Sequence, residues 1–257
     1  MKFPNHPEKY NSKPLFSPKD LQNYRDFRDA GNIFDCPENI ILCYSRGLMI
    51  YVGENYEVDE RSLAGGILYS LTELSDSVGI LGNFGFGAPA AVTISEVLIA
   101  MGVKKIINIG VAGTLQKHID IGDIVVCDKA IRDEGTSYHY LQPVTYAYPD
   151  SRLIKQITET LDNSGTKYFT GPSWTTDAPY RETAAEVLKY QEEGVLTVEM
   201  EASALFALGK YRNIEVGALF TISDSLADLK WRPEFHSEKT AKGLEMIFEI
   251  SLEVFSR

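Results

Sequence analysis

Apolar residues fall along this chain in short unbroken runs, separated by polar and glycine-containing segments. The run 39–44 (NIILCY) reads as a buried strand, because a strand covered on both faces shows continuous rather than alternating hydrophobicity. The next run, 48–52, reads as part of a hairpin. Residues 78–81 form another apolar run. A glycine-rich turn at 82–87 then leads into a helix that tolerates Pro89 in its first turn and ends at Gly102. Residues 105–109 (KIINI) are again apolar and rich in β-branched side chains. Strand, glycine turn, helix and strand in this order make a βαβ unit, which predicts parallel pairing with helices covering the sheet. The alternation continues through 123–127 (DIVVC), a helix at 151–163, a short run at 196–198 entering a helix at 202–211, and a last strand at 216–222. A terminal helix over 240–255 carries Leu244, Ile247, Phe248 and Leu252 on one face. Residues 1–38 read as a polar arm with a short amphipathic stretch at 21–27. With no internal repeat or linker, 1–257 reads as one α/β domain.

Composition narrows the functional classes. Of 257 residues 44% are hydrophobic, enough for one large core. The 25 Lys and Arg against 36 Asp and Glu leave a net charge of −11. That argues against a nucleic-acid binder, whose affinity comes from clustered cations, but not against a small anion held by one or two local arginines. Cys36, Cys43 and Cys127 are an odd number without a CxxC pair, which suggests neither a disulfide framework nor a zinc knuckle and fits a reducing cytoplasm. No metal is expected, as His118, His139 and His236 lack ligand spacing. The first 18 residues lack the apolar centre of a secretory signal. The stretch 77–95 is uncharged, but Gly79, Gly82, Gly85, Gly87 and Pro89 interrupt it, so no membrane span is expected.

Three places carry candidate chemistry. The turn 82–87 has the spacing GxxGxG where a dinucleotide fold wants GxGxxG, and no acid stands about twenty residues on, which counts against a nicotinamide enzyme. It reads either as a backbone cradle for an anion at a helix start or as a tight turn without a ligand. Glu199 and Glu201 stand where an apolar strand becomes a helix, a position that faces any cleft at the carboxyl ends of the strands. A carboxylate there can accept from both hydroxyls of a vicinal diol, or can merely cap the helix. Asp224, after the last strand, can share a ligand with Glu201 and exchange a proton if burial raises its pKa, or can be an ordinary cap.

With these residues in view, the chain resembles the nucleoside phosphorylase and nucleosidase superfamily, which includes uridine phosphorylases, bacterial-type purine nucleoside phosphorylases and methylthioadenosine and AMP nucleosidases. The resemblance spans residues 39–228 and rests on six segments in order: 85–90 (GFGAPA), 108–113 (NIGVAG), Gly122-Asp123, 132–138 (RDEGTSY), 198–202 (VEMEA) and 222–224 (ISD). It implies a three-layer α/β/α sandwich around a mixed, partly barrel-like sheet, and cleavage of the bond between ribose and base. In that scheme Glu201 holds the 2′ and 3′ hydroxyls with Met200 and Glu199 beside the sugar, and Asp224 protonates a departing purine. Gly110 and Val111, with Arg46, fall at the phosphate end, and Ala112, Gly113, Tyr180 and Arg181 fall around the base.

Departures from the family pattern leave the nucleophile open. Phosphorylases usually carry Arg-x-Gly-Thr where this chain has Asn108-Ile109-Gly110-Val111, and the family's Gly-Asp-Pro-x-Arg loop is replaced by Cys43-Tyr44-Ser45-Arg46-Gly47. The leading expectation is phosphorolysis, with Arg46, Arg132 or Arg181 rebuilding the anion site. Phosphate is then a co-substrate and no cofactor is needed. Hydrolysis is the alternative that Asn108 and Val111 favour, and the segments 168–176 and 130–137 resemble AMP nucleosidases, keeping a nucleotide substrate open. The Gln with which uridine phosphorylases read uracil is not at its place beside Arg181, and together with Asp224 this favours a purine over uridine. A binding protein that has lost the chemistry is a further alternative. Relatives form dimers that build hexamers, which makes a homo-oligomer the expected state, with His6 or His118 as residues that a neighbouring subunit's site could use. Trp174 and Tyr180 are candidates to stack on a base or to pack in the core.

Overall fold

The computed structural model describes residues 5–29, 35–72 and 77–256. Residues 1–4 and 30–34 of the polar arm, and the side chains of 22 and 25–27 in the amphipathic stretch, lie outside the described residues. In chain order the elements are α1 (Pro18–Asp29), β1 (Asn39–Cys43), α2 (Arg46–Asn55), β2 (Val58–Leu63), β3 (Gly66–Leu71), β4 (Val78–Gly82), α3 (Ala88–Ala100), β5 (Lys105–Thr114) and β6 (Ile124–Asp133). They continue with β7 (Tyr146–Ala147), α4 (Ser151–Ser164), β8 (Tyr168–Thr176), α5 (Ala184–Glu192), β9 (Thr197–Glu199), α6 (Ala202–Arg212), β10 (Glu215–Ser225), β11 (Arg232–Pro233) and α7 (Glu238–Phe255).

The strands form one mixed sheet with two parts. β5, β10, β6, β8 and β9 pair in a closed ring, since β5 bonds to both β10 and β9. The sheet then runs on from β5 through β1, β4, β3 and β2. The predicted βαβ unit is present with its strands parallel, but β1 lies between them: Asn39 is opposite Val78 on one side and Lys105 on the other. Successive residues of the central strands feed two different cores. Ile40, Leu42 and Ile106 pack with α3 and α6, whereas Ile41, Cys43, Ile107 and Ile109 pack with α2, α4 and α7. That two-sided burial makes these strands continuous apolar runs, and it produces the α/β/α layering around a partly barrel-like sheet that the resemblance implies.

One element differs from its sequence reading. Residues 48–52 belong to helix α2, not to a hairpin. The Ser45 hydroxyl accepts from the Leu48 N–H at 3.2 Å and caps the helix start, and Leu48, Met49 and Val52 share its buried face. The hairpin comes after it, β2 with β3 through a two-residue turn at Ala64 and Gly65. Helix α5 has no counterpart among the predicted elements, although its signal is local. Thr183 and Glu186 form a reciprocal capping box at its start.

An irregularity at the end of β10 places one of the candidate acids. The strand extends to Ser225, and its pairing with β5 slips by one residue, so that Ile222 faces Ala112 but Asp224 faces Gly113. Such a bulge re-aims the side chains beyond it. Asp224 lies against Gly113: a Cβ there would stand 3.0 Å from the aspartate Oδ2 and 3.2 Å from Val198 Cγ1.

Candidate active site

The carboxyl ends of β5, β9 and β10 open into a cavity of about 340 Å³. Ala112 and Gly113 come from β5, Glu199, Met200 and Glu201 from the turn between β9 and α6, and Asp224 from the bulged end of β10. Tyr44, Val111 and Phe235 line this cavity and also a second one of about 550 Å³, which contains Ser45, Arg46, Gly110 and His236. The two spaces therefore meet along one wall. Glu199, Glu201 and Asp224 are all buried.

The two glutamates have separate duties. Glu199 uses both oxygens on protein donors: Oε1 accepts from Ser173 and Thr175 hydroxyls at 3.2 and 2.5 Å, and Oε2 from the Glu201 and Ala202 N–H groups at 2.8 and 2.7 Å. It ties the start of α6 to β8 and fixes the chain that carries Glu201. Burial raises its pKa while these four bonds oppose the rise. The Glu201 carboxylate accepts from the Gly87 N–H at 2.5 Å. Gly87 has φ +92° at the start of α3, a conformation that favours glycine, and so the glycine turn presents its N–H to a carboxylate of the protein itself. Burial, and secondarily the charge of Glu199, pushes Glu201 up to about 8.

Asp224 sits among neutral donors. Its Oδ1 accepts from the Ser223 hydroxyl at 2.8 Å and its Oδ2 from the Trp231 indole N–H at 3.0 Å. Burial raises its pKa more than these bonds lower it. Glu182, half-buried on the same cavity, is pushed up to about 7 by burial and by the neighbouring Asp224. Across the cavity the Tyr44 hydroxyl donates to Asn108 Oδ1 at 2.6 Å, and its ring covers Gly110 and meets Phe84 edge-on. Burial, with Glu201 and Glu199, holds the Tyr44 phenol well above its ordinary pKa.

The three arginines weighed for an anion site part company. Arg46 lines the larger cavity. Arg132 is buried and committed to the Ser137 hydroxyl and the Leu141 and Gln142 carbonyls, with its guanidinium over the Tyr138 ring. Arg181 is exposed and lines neither space. Tyr180 likewise turns outward, 99% exposed, because the short helical turn at Pro179–Arg181 directs Pro179 and Glu182 inward instead. Trp174 is a core residue, donating to Asp133 at 2.9 Å and packed on Tyr190. His6 accepts from the Glu8 N–H at a short helix start, and His118 packs on Phe169. Among the described residues no three His, Cys, Asp or Glu groups are arranged to hold a metal, and no helix is long and apolar enough to cross a membrane.

Sequence reasoning did not single out Glu182, Phe235 or Trp231. Glu182 adjoins Arg181, and only the turn direction distinguishes them. Trp231 and Phe235 reach the site from beyond β10, where no periodicity marks them.

The sequence profile of the phosphorylase superfamily matches residues 49–256. The chain belongs to this superfamily. Over 142 residues it is 31% identical to a guanosine phosphorylase of Halorubrum lacusprofundi, a match covering 55% of this chain and 59% of that protein. It is 27% identical over 209 residues to a DeoD-type purine nucleoside phosphorylase of Clostridium novyi, covering 79% and 86% of the two chains. An AMP nucleosidase crystal structure from Bacteroides thetaiotaomicron superimposes with a TM-score of 0.73 and 26% identity, covering 93% of this chain and 98% of that one. The superfamily chain thus carries its acids at the strand ends of a phosphorylase-type fold.

Proposed function

We propose that this protein cleaves the N-glycosidic bond of a purine ribonucleoside with inorganic phosphate, giving the free base and ribose 1-phosphate without a cofactor. The observation that carries the reading is the convergence of Glu201 and Asp224 on one cavity, with Arg46 on the adjoining one. The similarity to guanosine and purine nucleoside phosphorylases supports the same choice.

Glu201 has one oxygen bound to the Gly87 N–H, which leaves the other to accept from the ribose hydroxyls. Met200 lines the cavity beside it, and Glu199 steadies the turn through its four bonds. Asp224, whose pKa burial raises, acts as the general acid and delivers a proton to the purine as the C1′–N9 bond breaks. That protonation neutralises charge on the leaving base while positive charge grows on the ribose. Arg46, with Gly110 and Val111, forms the phosphate end; Ala112, Gly113 and Glu182 face the base.

Hydrolysis is the second reading. It is favoured by Asn108, a buried amide held by Tyr44 at the position where the resemblance expects a phosphate-binding arginine, and by the likeness to an AMP nucleosidase. The deciding assay follows guanosine, inosine, adenosine, uridine and AMP with and without phosphate. Phosphate-dependent release of purine and ribose 1-phosphate is expected. Release of free ribose at full rate in phosphate-free buffer would assign water as the nucleophile, and binding without turnover would reduce the protein to a nucleoside binder. The proposal extends to nucleoside salvage in the cytoplasm by a homodimer or hexamer, which sedimentation of the purified protein tests.

A further inference from the structure

A short return of the chain lies against the end of β10 that carries Asp224. β11 pairs antiparallel with the end of β10, Asp224 opposite Pro233 and Ser225 opposite Arg232. The chain that leaves the sheet at Ser225 is thereby brought back past it, and the residue just before β11 is Trp231. Its indole N–H reaches Asp224 Oδ2 at 3.0 Å, while the Ser223 hydroxyl holds Oδ1. Trp231 is 62% exposed, and its ring neighbour is Phe235 at 6.2 Å. A large aromatic residue this open contributes little to the core, so its directed contact is the polar one.

The nature of the donor matters. A carboxyl gripped by a guanidinium or ammonium is held ionised, because the opposite charge favours the anion. Here both donors are neutral. The other titratable groups lining the cavity are Tyr44 and the acids Glu182, Glu199 and Glu201, and no Lys, Arg or His lines it among the described residues. Lys230 and Arg232, which flank Trp231 in the chain, act on the exposed Asp228. Each Asp224 oxygen accepts one bond and keeps a lone pair, enough for the proton.

We infer that Trp231 is the positioning residue of the proton donor: its indole N–H fixes the Asp224 carboxyl toward the leaving base without supplying a charge that would strip the proton. This rests on the reading of Asp224 as donor to a departing purine. In the step concerned, the C1′–N9 electron pair passes to the base, N7 takes the proton from Asp224, and a phosphate oxygen closes on C1′. Asp224 is left as the carboxylate.

The test compares guanosine with 7-methylguanosine, whose base is already cationic and departs without protonation. With Trp231→Phe, kcat on guanosine should fall about 10-fold, as loss of alignment of a general acid implies, with KM within two-fold and 7-methylguanosine turnover within two-fold. Trp231→Gln, which keeps a neutral N–H donor, should recover most of the loss. Unchanged guanosine turnover in Trp231→Phe overturns the inference. So does an equal loss on both nucleosides, which a thermal melt then assigns to folding or to binding. Wild-type protein inert on both nucleosides would instead overturn the purine reading, and this inference with it.

Discussion

Glu201 should make the unliganded protein less stable than it need be, and the cost can be worked out. The carboxyl is 7% exposed, accepts from the Gly87 N–H and lies beside the charge of Glu199. Its pKa rises from 4.5 to about 8 on folding. The folded state thus binds this proton more tightly than the unfolded chain. Its contribution is fully present below pH 4.5 and is lost as pH rises through 8. At about 1.4 kcal/mol per pH unit the full shift corresponds to roughly 5 kcal/mol. In Glu201→Gln the amide oxygen can still accept from Gly87, but its N–H groups must find partners, which takes back about 1–3 kcal/mol. A gain of about 3 kcal/mol above pH 8 remains, or roughly 5–10 °C in Tm for a chain of this size. Thermal and urea unfolding without ligand at pH 5 and pH 9 measure it. The variant should be stabilised at pH 9, be about 1 kcal/mol less stable than the wild type near pH 5, where only the amide cost remains, and lose nucleoside cleavage by at least about 100-fold, the usual exchange of stability for function at a buried acid. A stabilisation of equal size at both pH values, or none at pH 9, refutes the argument.

Three further substitutions separate the roles of the remaining groups. Asp224→Asn should leave nucleoside affinity within about two-fold and slow purine cleavage by about 10²–10³, within the range of a positioned general acid; equal turnover would remove Asp224 as donor. Gly113→Ala places a Cβ 3.0 Å from Asp224 Oδ2, so the carboxyl must shift, and kcat should fall about ten-fold with about 1 kcal/mol lost in urea unfolding. Arg46→Ala should raise the KM for phosphate at least about ten-fold while a nucleoside Kd from calorimetry stays within two-fold, since one charge-assisted anion contact contributes about 1.5–3 kcal/mol; an unchanged phosphate KM assigns the anion site elsewhere.

The strands were legible in the sequence because the fold buries both faces of the sheet. After Asn39, the run 40–43 has no polar position to obscure it, and its register between β4 and β5 lets each of these residues enter one of two cores. The same property misleads at 48–52. Leu-Met-Ile-Tyr-Val is as apolar as a strand, and the deciding residue is Ser45, a cap three positions earlier. Glu201 and Asp224 were legible as acids at strand ends. The pair Glu199 and Glu201 could not be told apart by spacing, because the turn into α6 decides which carboxylate is consumed by backbone N–H groups. Likewise, whether Arg181 or Glu182 enters the cavity depends on a single helical turn. Trp231 meets Asp224 through a two-residue strand pairing, too short to leave any period in the sequence.

Four acids, Glu182, Glu199, Glu201 and Asp224, line a cavity that holds no cationic side chain among the described residues, and this says something about the reaction. Burial raises the pKa of all four, Glu201 to about 8 and Glu182 to about 7, so the cavity disfavours full ionisation of its acids. A ribosyl group losing its base develops positive charge, and a low-dielectric pocket of carboxylates stabilises that charge more than it stabilises the neutral nucleoside. In the proposed reaction, the ribose hydroxyls would give Glu201 donors that favour its anion and so set negative charge beside the sugar as positive charge grows on it. The same field repels a phosphate dianion. In the proposed reaction its approach would need a separate compartment with its own cation, and Arg46 lines the adjoining cavity, which among the described residues shares Tyr44, Val111 and Phe235 with this one. Separating the cation from the acids also leaves Asp224 without a guanidinium that would hold it ionised, so on the proposed reading one arrangement would serve both the nucleophile and the proton donor.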